Sequence, residues 1–265
     1  MSRLKPASPL QPVRRVQAWL AGWWQLLLVG AALAVLALSA RGRQQALQGA
    51  PYARLYNAVA PMLAGYTVAT ALASLVIIRI VIVTAQSYGL SQYALGMVVR
   101  VLVLELIPLA AALAAAVQAV LPMAESLRRQ RKAGAFEALQ RRGLDPLATL
   151  VLPRLLAGVF VVLLLAMLSS VLTLVLAYLS AHGFSMGGFA GYTRTVGRVF
   201  SPSVTLIFGT KVLLLAVAVA WIPLATVLQH PLHRRTRASA EMQGLVRLMV
   251  VVVAIEALGL VGNYY

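Results

Sequence analysis

GMVVRVLVLELIPLAAALAAAVQAVLPMAESLRRQRKAGAFEALQRRGLDPLATLVLPR, residues 96–154, decides the fold of this chain. Its first half is an apolar run of bilayer-crossing length that carries Glu105 and Pro108. Its second half is a basic, soluble-looking helix that closes on Gly143-Leu144-Asp145-Pro146 before a new apolar run begins. Glu105 lies several turns from the basic end of its helix, too deep to be a solvated terminus. A carboxyl at such depth costs about 2.5–3.5 kcal/mol on insertion scales, and is therefore expected to face a bundle interior or an aqueous cavity. Pro108 withdraws the hydrogen bond that the carbonyl of Leu104 would otherwise receive, so the backbone can bend beside that carboxyl.

Composition supports the same reading. Of the 265 residues 61% are hydrophobic and only 11% charged, and several apolar runs are long enough to cross a bilayer. No polar segment is long enough for a separate soluble core, so one transmembrane domain over 1–265 is expected. Cysteine is absent, which excludes disulfides and thiolate metal sites. The net charge of +17 could suggest nucleic acid, but the arginines fall in short segments beside apolar runs rather than along one soluble face, so no nucleic-acid partner is expected. Anionic lipid and the enrichment of cations on the cytoplasmic side account for them better.

Charge then threads the chain. The tail (Arg3, Lys5, Arg14, Arg15) is basic, and so is the segment after the apolar run Gln17 to Ala40 (Arg41, Arg43, Arg54). Both flanks favour the cytoplasm, so residues 1–55 read as a tail plus an elbow or re-entrant helix with Trp19, Trp23 and Trp24 near the interface; a full first span is the alternative. Beyond it, uncharged Ser87–Leu95, basic Glu125–Arg154, lightly charged His182–Ser203, basic His230–Arg247 and uncharged Gly262–Tyr265 alternate. That pattern predicts five spans, roughly 57–84, 96–123, 152–180, 204–228 and 244–262, ending outside. Two of them fill 57–124, a cytoplasmic coupling helix fills 125–150, and the other three occupy 152–265. The segment after the third span, with Gly183, Gly187, Gly188 and Gly191 among Phe184, Phe189 and Tyr192, suits either a short interfacial helix or a loop with aromatic anchors.

In this topology Glu105, Lys211 and Glu256 lie nine, seven and six residues from the outer ends of their spans. Three charges thus share one layer, with Lys211 expected to pair with Glu105 or Glu256. The layer either holds the bundle together or lines a cavity for an amphiphile's headgroup. Arg79 and Arg100 lie nearer the outer interface, where long stems can snorkel. In the cytoplasmic join, Leu127, Phe136 and Leu139 offer apolar anchors for a partner's groove, although a basic helix lying on anionic lipid fits the same residues. His230 and His233 lack nearby carboxylates, so no metal site is expected, and no cofactor motif occurs. Without a GxxxxGK[ST] loop, a nucleophile elbow or HExxH, the chain is not expected to be an enzyme; any ATP is hydrolysed by another subunit.

Leu104-Glu105-Leu106-Ile107-Pro108, the amphipathic join, Gly143-Leu144-Asp145-Pro146 and Leu152-Pro153-Arg154 through Gly158 together resemble the MlaE/YrbE permeases, which accompany MCE-type lipid-binding proteins. The likeness extends back through Tyr56, Asn57 and Tyr88 and forward through Gly209-Thr210-Lys211, Glu256 and Gly262-Asn263, most of the chain after about residue 50. It implies a multi-pass bacterial inner-membrane ABC permease that moves phospholipid, with a second permease copy, identical or unlike, an ATPase subunit and a periplasmic MCE-domain protein as partners. By the same resemblance Glu105, Lys211 and Glu256 are intramembrane charges that matter for transport. Ile77, Thr84, Tyr88, Leu104 and Glu105 would line the lipid pocket, and Phe136, Glu137, Leu139 and Asp145 would meet the ATPase. Leu104 stands where the family has arginine, Ile107 where it has glycine, Val117-Gln118-Ala119-Val120 where it has a glycine-arginine-alanine-glycine run, and Gly134 where it often has glutamate. A small-molecule ABC importer permease, expected to meet a soluble periplasmic receptor, and a non-transporting scaffold that recruits a cytosolic protein are the competing functions.

Overall fold

The computed structural model describes residues 52–229 and 237–264 and, nearer the N-terminus, residues 23, 24, 26, 28–37, 39 and 44. The basic tail with Trp19, Arg41 and Arg43, the pair His230 and His233, and Tyr265 lie outside the described residues. The described chain is helical, without strands: α1 Leu28–Ala37, α2 Tyr52–Ser87, α3 Ser91–Lys132, α4 Ala135–Arg141, α5 Leu147–His182, α6 Phe189–Val199, α7 Pro202–Gln229 and α8 Arg237–Tyr264. Five of these, α2, α3, α5, α7 and α8, are long and apolar enough to cross a membrane. The fold is an all-α integral-membrane bundle.

α7 sits at the centre, against α5 on one side and α8 on the other, while α2 packs on α5. Helices in lipid gain little from the hydrophobic effect and associate through close packing, which small residues permit. Ala111, Ala112, Ala115, Ala116 and Ala119 of α3 accordingly meet Val161, Val162 and Leu165 of α5 and Leu215, Ala216 and Val219 of α7. Gly158 marks the closest approach: a Cβ there would lie 2.9 Å from the Cβ of Ala220 and 3.3 Å from Cγ2 of Val120. Across α2 and α5, Ser74 and Thr173 share a 2.9 Å hydrogen bond between buried hydroxyls. The opposite surfaces are apolar and exposed, as lipid contact requires: Val68, Leu72, Val76 and Ile80 recur every fourth residue along α2.

Three π segments, Val98–Leu106, Ala116–Val120 and Leu147–Val151, each end two residues before a proline, respectively Pro108, Pro122 and Pro153. A proline has no N–H for the carbonyl four residues back and its ring crowds that carbonyl, so the preceding turn widens. The widening at Pro108 falls on the turns that carry Arg100, Leu104 and Glu105.

The second span is longer than its sequence suggests. α3 continues unbroken from Ser91 to Lys132, so the first part of the basic join is an extension of the membrane helix. The join is also two helices rather than one. Gly134 adopts φ 75°, a left-handed conformation open to glycine, and it separates α3 from the seven-residue α4. α4 stops in a Schellman turn: Gly143 has φ 72°, its N–H donates to the carbonyl of Gln140 at 3.0 Å, and Leu144 N–H donates to the carbonyl of Leu139 at 3.1 Å. Asp145 Oδ1 then accepts the N–H of Leu147 at 2.9 Å and starts α5.

The end of the bundle that carries the basic join is tied down from several directions. Arg131 donates to the carbonyls of Val227 at 2.6 Å and Leu228 at 3.0 Å, satisfying free acceptors at the end of α7 with a charge that suits a helix C-terminus. Leu127 is fully buried with Leu33 of α1, Val151, Leu152 and Leu224, and Phe136 packs against the edge of that cluster. Leu127 is therefore part of the chain's own core, contrary to its reading as an anchor for a partner. Of the apolar run expected to form an elbow, the described helix α1 packs here through Leu33, Leu36 and Ala37. The guanidinium of Arg247 lies 5.9 Å from the ring centre of Trp23.

The sidedness assigned from charge has a direct check, because the chain contains no native cysteine. A cysteine replacing Gly89, between α2 and α3, is expected to react with an impermeant maleimide from the periplasmic face. One replacing Lys132 is expected to react only after the membrane is opened. The reverse pattern would invert the topology.

Candidate functional site

The half of the bundle away from the basic join contains a buried ion cluster. Lys211 of α7 is almost wholly enclosed, with 2% of its side chain exposed. Its ammonium forms an ion pair with Glu105 Oε2 of α3 and another, at 2.6 Å, with Glu256 Oε2 of α8. It also donates to the carbonyl of Leu104 at 3.2 Å. That carbonyl is the one Pro108 leaves without its α-helical donor, so the proline and the lysine are two halves of one arrangement. With three acceptors, the three ammonium protons can all be used.

Asn263 completes the cluster. Its Nδ2 donates to Glu105 Oε1 at 3.0 Å. Gly259 clears room for the lysine stem, since a Cβ at that position would come within 2.7 Å of Lys211 Cδ. Glu256, Gly259 and Asn263 are spaced i, i+3, i+7 and share one face of α8. Glu256 Oε1 and Asn263 Oδ1 are buried and accept no hydrogen bond from the described residues. Leaving a buried acceptor unpaired typically costs about 1–3 kcal/mol.

Beside the cluster, Arg100, Leu104, Val199, Val204 and Asn263 line a small cleft at the end of the bundle away from the basic join. Arg100 and Leu104 lie one turn apart on α3, and Val199 ends α6. Among the expected pocket residues, Leu104 lines this cleft and Glu105 borders it through Asn263. Ile77 is placed elsewhere, packed near Ile78, Val98 and Leu102, while Thr84 and Tyr88 are exposed on the last turns of α2 and just beyond it. Arg79 and Arg100 are both exposed.

α6 roofs this region. The Tyr192 hydroxyl donates to the carbonyl of Leu174 at 2.6 Å, and its ring meets those of Tyr178 and His182 at right angles. Burial raises the Tyr192 pKa to about 12, so the phenol keeps its donated proton throughout the neutral range. The segment between α5 and α7 thus contains a short helix pinned by aromatic contacts. At the opposite end of the bundle, Phe136 and Leu139 are half-buried and Glu137 is exposed, while Asp145 is occupied with the turn into α5. Among the described residues no group of three potential metal ligands comes together.

Sequence reading missed Asn263, Gly259 and Arg100 as site residues. The signal for the first two was present in the i, i+3, i+7 spacing from Glu256, and that for Arg100 in its place one turn outward from Leu104.

Five apolar spans around a buried charge cluster define a multi-pass membrane protein. Comparison with known families sharpens this: the family described as Permease MlaE matches residues 52–261, and the chain belongs to it. The members are transporter subunits rather than catalysts. No curated protein matches the chain.

Proposed function

We propose that this chain is the membrane subunit of an ABC transporter that moves phospholipid between the inner membrane and a periplasmic MCE-type lipid carrier. A separate ATPase subunit supplies the energy, and a second permease copy completes the membrane part. The observation that carries this reading is the ion cluster of Lys211, Glu105 and Glu256 in the outer half of a bundle belonging to the MlaE permease family. Its charges stand beside a cleft that also has an apolar wall, the combination that an amphiphile's headgroup region demands.

The cluster and the cytoplasmic join have complementary roles in this proposal. Lys211 holds α7 to α3 and α8, so a change in its pairing changes how those helices meet. At the other end Arg131 clamps the last carbonyls of α7 to the root of the join. Phe136, Glu137, Leu139 and Asp145 are proposed to receive the ATPase's movement: Glu137 and the edge of Leu139 by contact, Phe136 and Asp145 by keeping α4 fixed to the bundle. α7 then links the two ends as one continuous helix, with Pro223 inside it as the turn that lacks a backbone hydrogen bond.

Isolating the tagged chain from native membranes in mild detergent tests the assembly. An ATPase subunit with a phosphate-binding loop and an MCE-domain protein are expected to accompany it. Recovery of a soluble solute-binding receptor in place of the MCE-domain protein would contradict the lipid reading, as would the recovery of neither protein.

A further inference from the structure

α3 and α7 are tied together at both ends, and the two ties are alike in kind. At the end away from the basic join, Lys211 of α7 pairs with Glu105 of α3 and donates to the carbonyl of Leu104 at 3.2 Å. At the join end the direction of donation reverses: Arg131 of α3 donates to the carbonyls of Val227 at 2.6 Å and Leu228 at 3.0 Å, in the last turn of α7. Glu105 precedes Arg131 on α3 as Lys211 precedes Val227 on α7, so the two helices run side by side in the same direction. Leu104 stands four residues before Pro108 and Val227 four before Pro231, so neither carbonyl can receive an α-helical hydrogen bond. Each tie is thus a long cation of one helix lodged on a carbonyl of the other that a proline has left open.

A helix held at one point can slip along its neighbour. One held at two points about 24 Å apart, at 1.5 Å per residue, cannot slip without losing a tie. α7 needs the second point. Pro223 has no N–H for the carbonyl of Val219, and the Thr226 hydroxyl donates to the carbonyl of Ile222 at 2.7 Å, two features that favour bending between Lys211 and Val227. We infer that Arg131 is a positioning residue for transport: it sets the height of α7 against α3, and so keeps Lys211 on Leu104 and Glu105 at the far end of the bundle. This inference rests on the transport function proposed above and adds to it the residue through which a movement of the join reaches the ion cluster. α3 is unbroken from Glu105 to the join, so displacing the join carries both ties, and α7 with them. The competing role is a helix cap, which stabilises the end of α7 and acts no further.

The test uses the full chain in its native complex. In detergent, the thermal midpoint is measured for Arg131→Gln, for Lys211→Ala and for the two combined. Substitutions this far apart ordinarily add. Two ties in one frame do not, because losing either lets the helices slip and weakens the other. The downward shift caused by Arg131→Gln is therefore expected to fall to about half when Lys211 is already replaced. Equal shifts in both backgrounds make Arg131 a cap and overturn the inference. In vesicles of phosphatidylethanolamine and phosphatidylglycerol, Arg131→Gln is expected to lower the lipid transferred per ATP hydrolysed about ten-fold while the ATPase stays bound, the effect of one lost charge-assisted hydrogen bond. Arg131→Lys keeps a cation that can donate to the carbonyls and is expected to recover about half of that loss. Wild-type transfer per ATP by Arg131→Gln, or no recovery by Arg131→Lys, also overturns the inference. Arg247 still holds the Gln229 side chain at 3.2 Å in these variants, which keeps the end of α7 attached to α8. Should Arg131→Gln nevertheless fail to assemble, Arg131→Lys is measured in the same two backgrounds, where equal shifts again overturn the inference and a smaller shift beside Lys211→Ala supports it. A wild-type complex that transfers no lipid contradicts the function proposed for the protein, whereas additive shifts in a complex that transfers normally contradict only the role given to Arg131.

Discussion

Lys211→Ala is expected to stop lipid transfer and to weaken the assembled bundle. The ammonium is the common partner of Glu105, Glu256 and the Leu104 carbonyl, and its removal leaves two carboxyls facing each other in a buried layer. Breaking a buried ion pair from one side typically costs about 3–5 kcal/mol, because the remaining charge is uncompensated. Stability and transport can be separated by a second substitution. Lys211→Ala combined with Glu256→Ala removes one of the orphaned carboxyls and is expected to recover much of the lost thermal stability in detergent, while transfer in reconstituted vesicles stays absent. A static role would be indicated by the recovery of both together. Lys211→Ala transferring lipid at the wild-type rate would remove the cluster from the mechanism altogether.

Glu137→Arg with Leu139→Asp is expected to detach transport from ATP hydrolysis. Glu137 is exposed on α4 and Leu139 half-buried, so the pair alters the surface offered to the ATPase while leaving Phe136 on its own cluster and Asp145 at its turn. Burying an unpaired charge in a partner's groove costs enough to weaken docking strongly. The ATPase is expected to fall away during purification, or to remain with hydrolysis that no longer responds to lipid. Unchanged recovery of the ATPase together with unchanged lipid stimulation would make α4 a lipid-surface helix.

How much of this was legible in the residues differs from element to element. The five spans were, because each needs about twenty apolar residues and the basic segments between them alternate. Glu105, Lys211 and Glu256 were legible for a related reason, since a charge in lipid stands out from any apolar run. Their meeting was anticipated only by depth. Which faces turn toward each other depends on the packing of α7 between α5 and α8, and no single helix encodes that. Asn263 was hidden because an amide near a chain's end ordinarily marks an interface, and Arg100 because a snorkelling arginine and a cleft arginine look alike in sequence. The break at Gly134 was hidden in another way. A glycine inside a basic helical stretch is tolerated or ends the helix according to its backbone angle, and its φ of 75° is a property of the folded chain. Pro108 carried the clearest message, a carbonyl at Leu104 without its helical donor, though the sequence alone could not say that Lys211 would occupy it.

The transport proposed for this permease is phospholipid movement driven by a partner ATPase. Its most direct measurement places the purified complex in donor vesicles containing a labelled phospholipid, with the MCE-type carrier and acceptor vesicles present. Transfer is followed with ATP and with a non-hydrolysable analogue, alongside a parallel assay of small polar solutes across the same membrane. ATP-dependent movement of the phospholipid, in either direction, with no movement of the solutes is the predicted result. Movement of a solute with no movement of phospholipid, or phospholipid transfer that is the same with ATP and with the analogue, would contradict it.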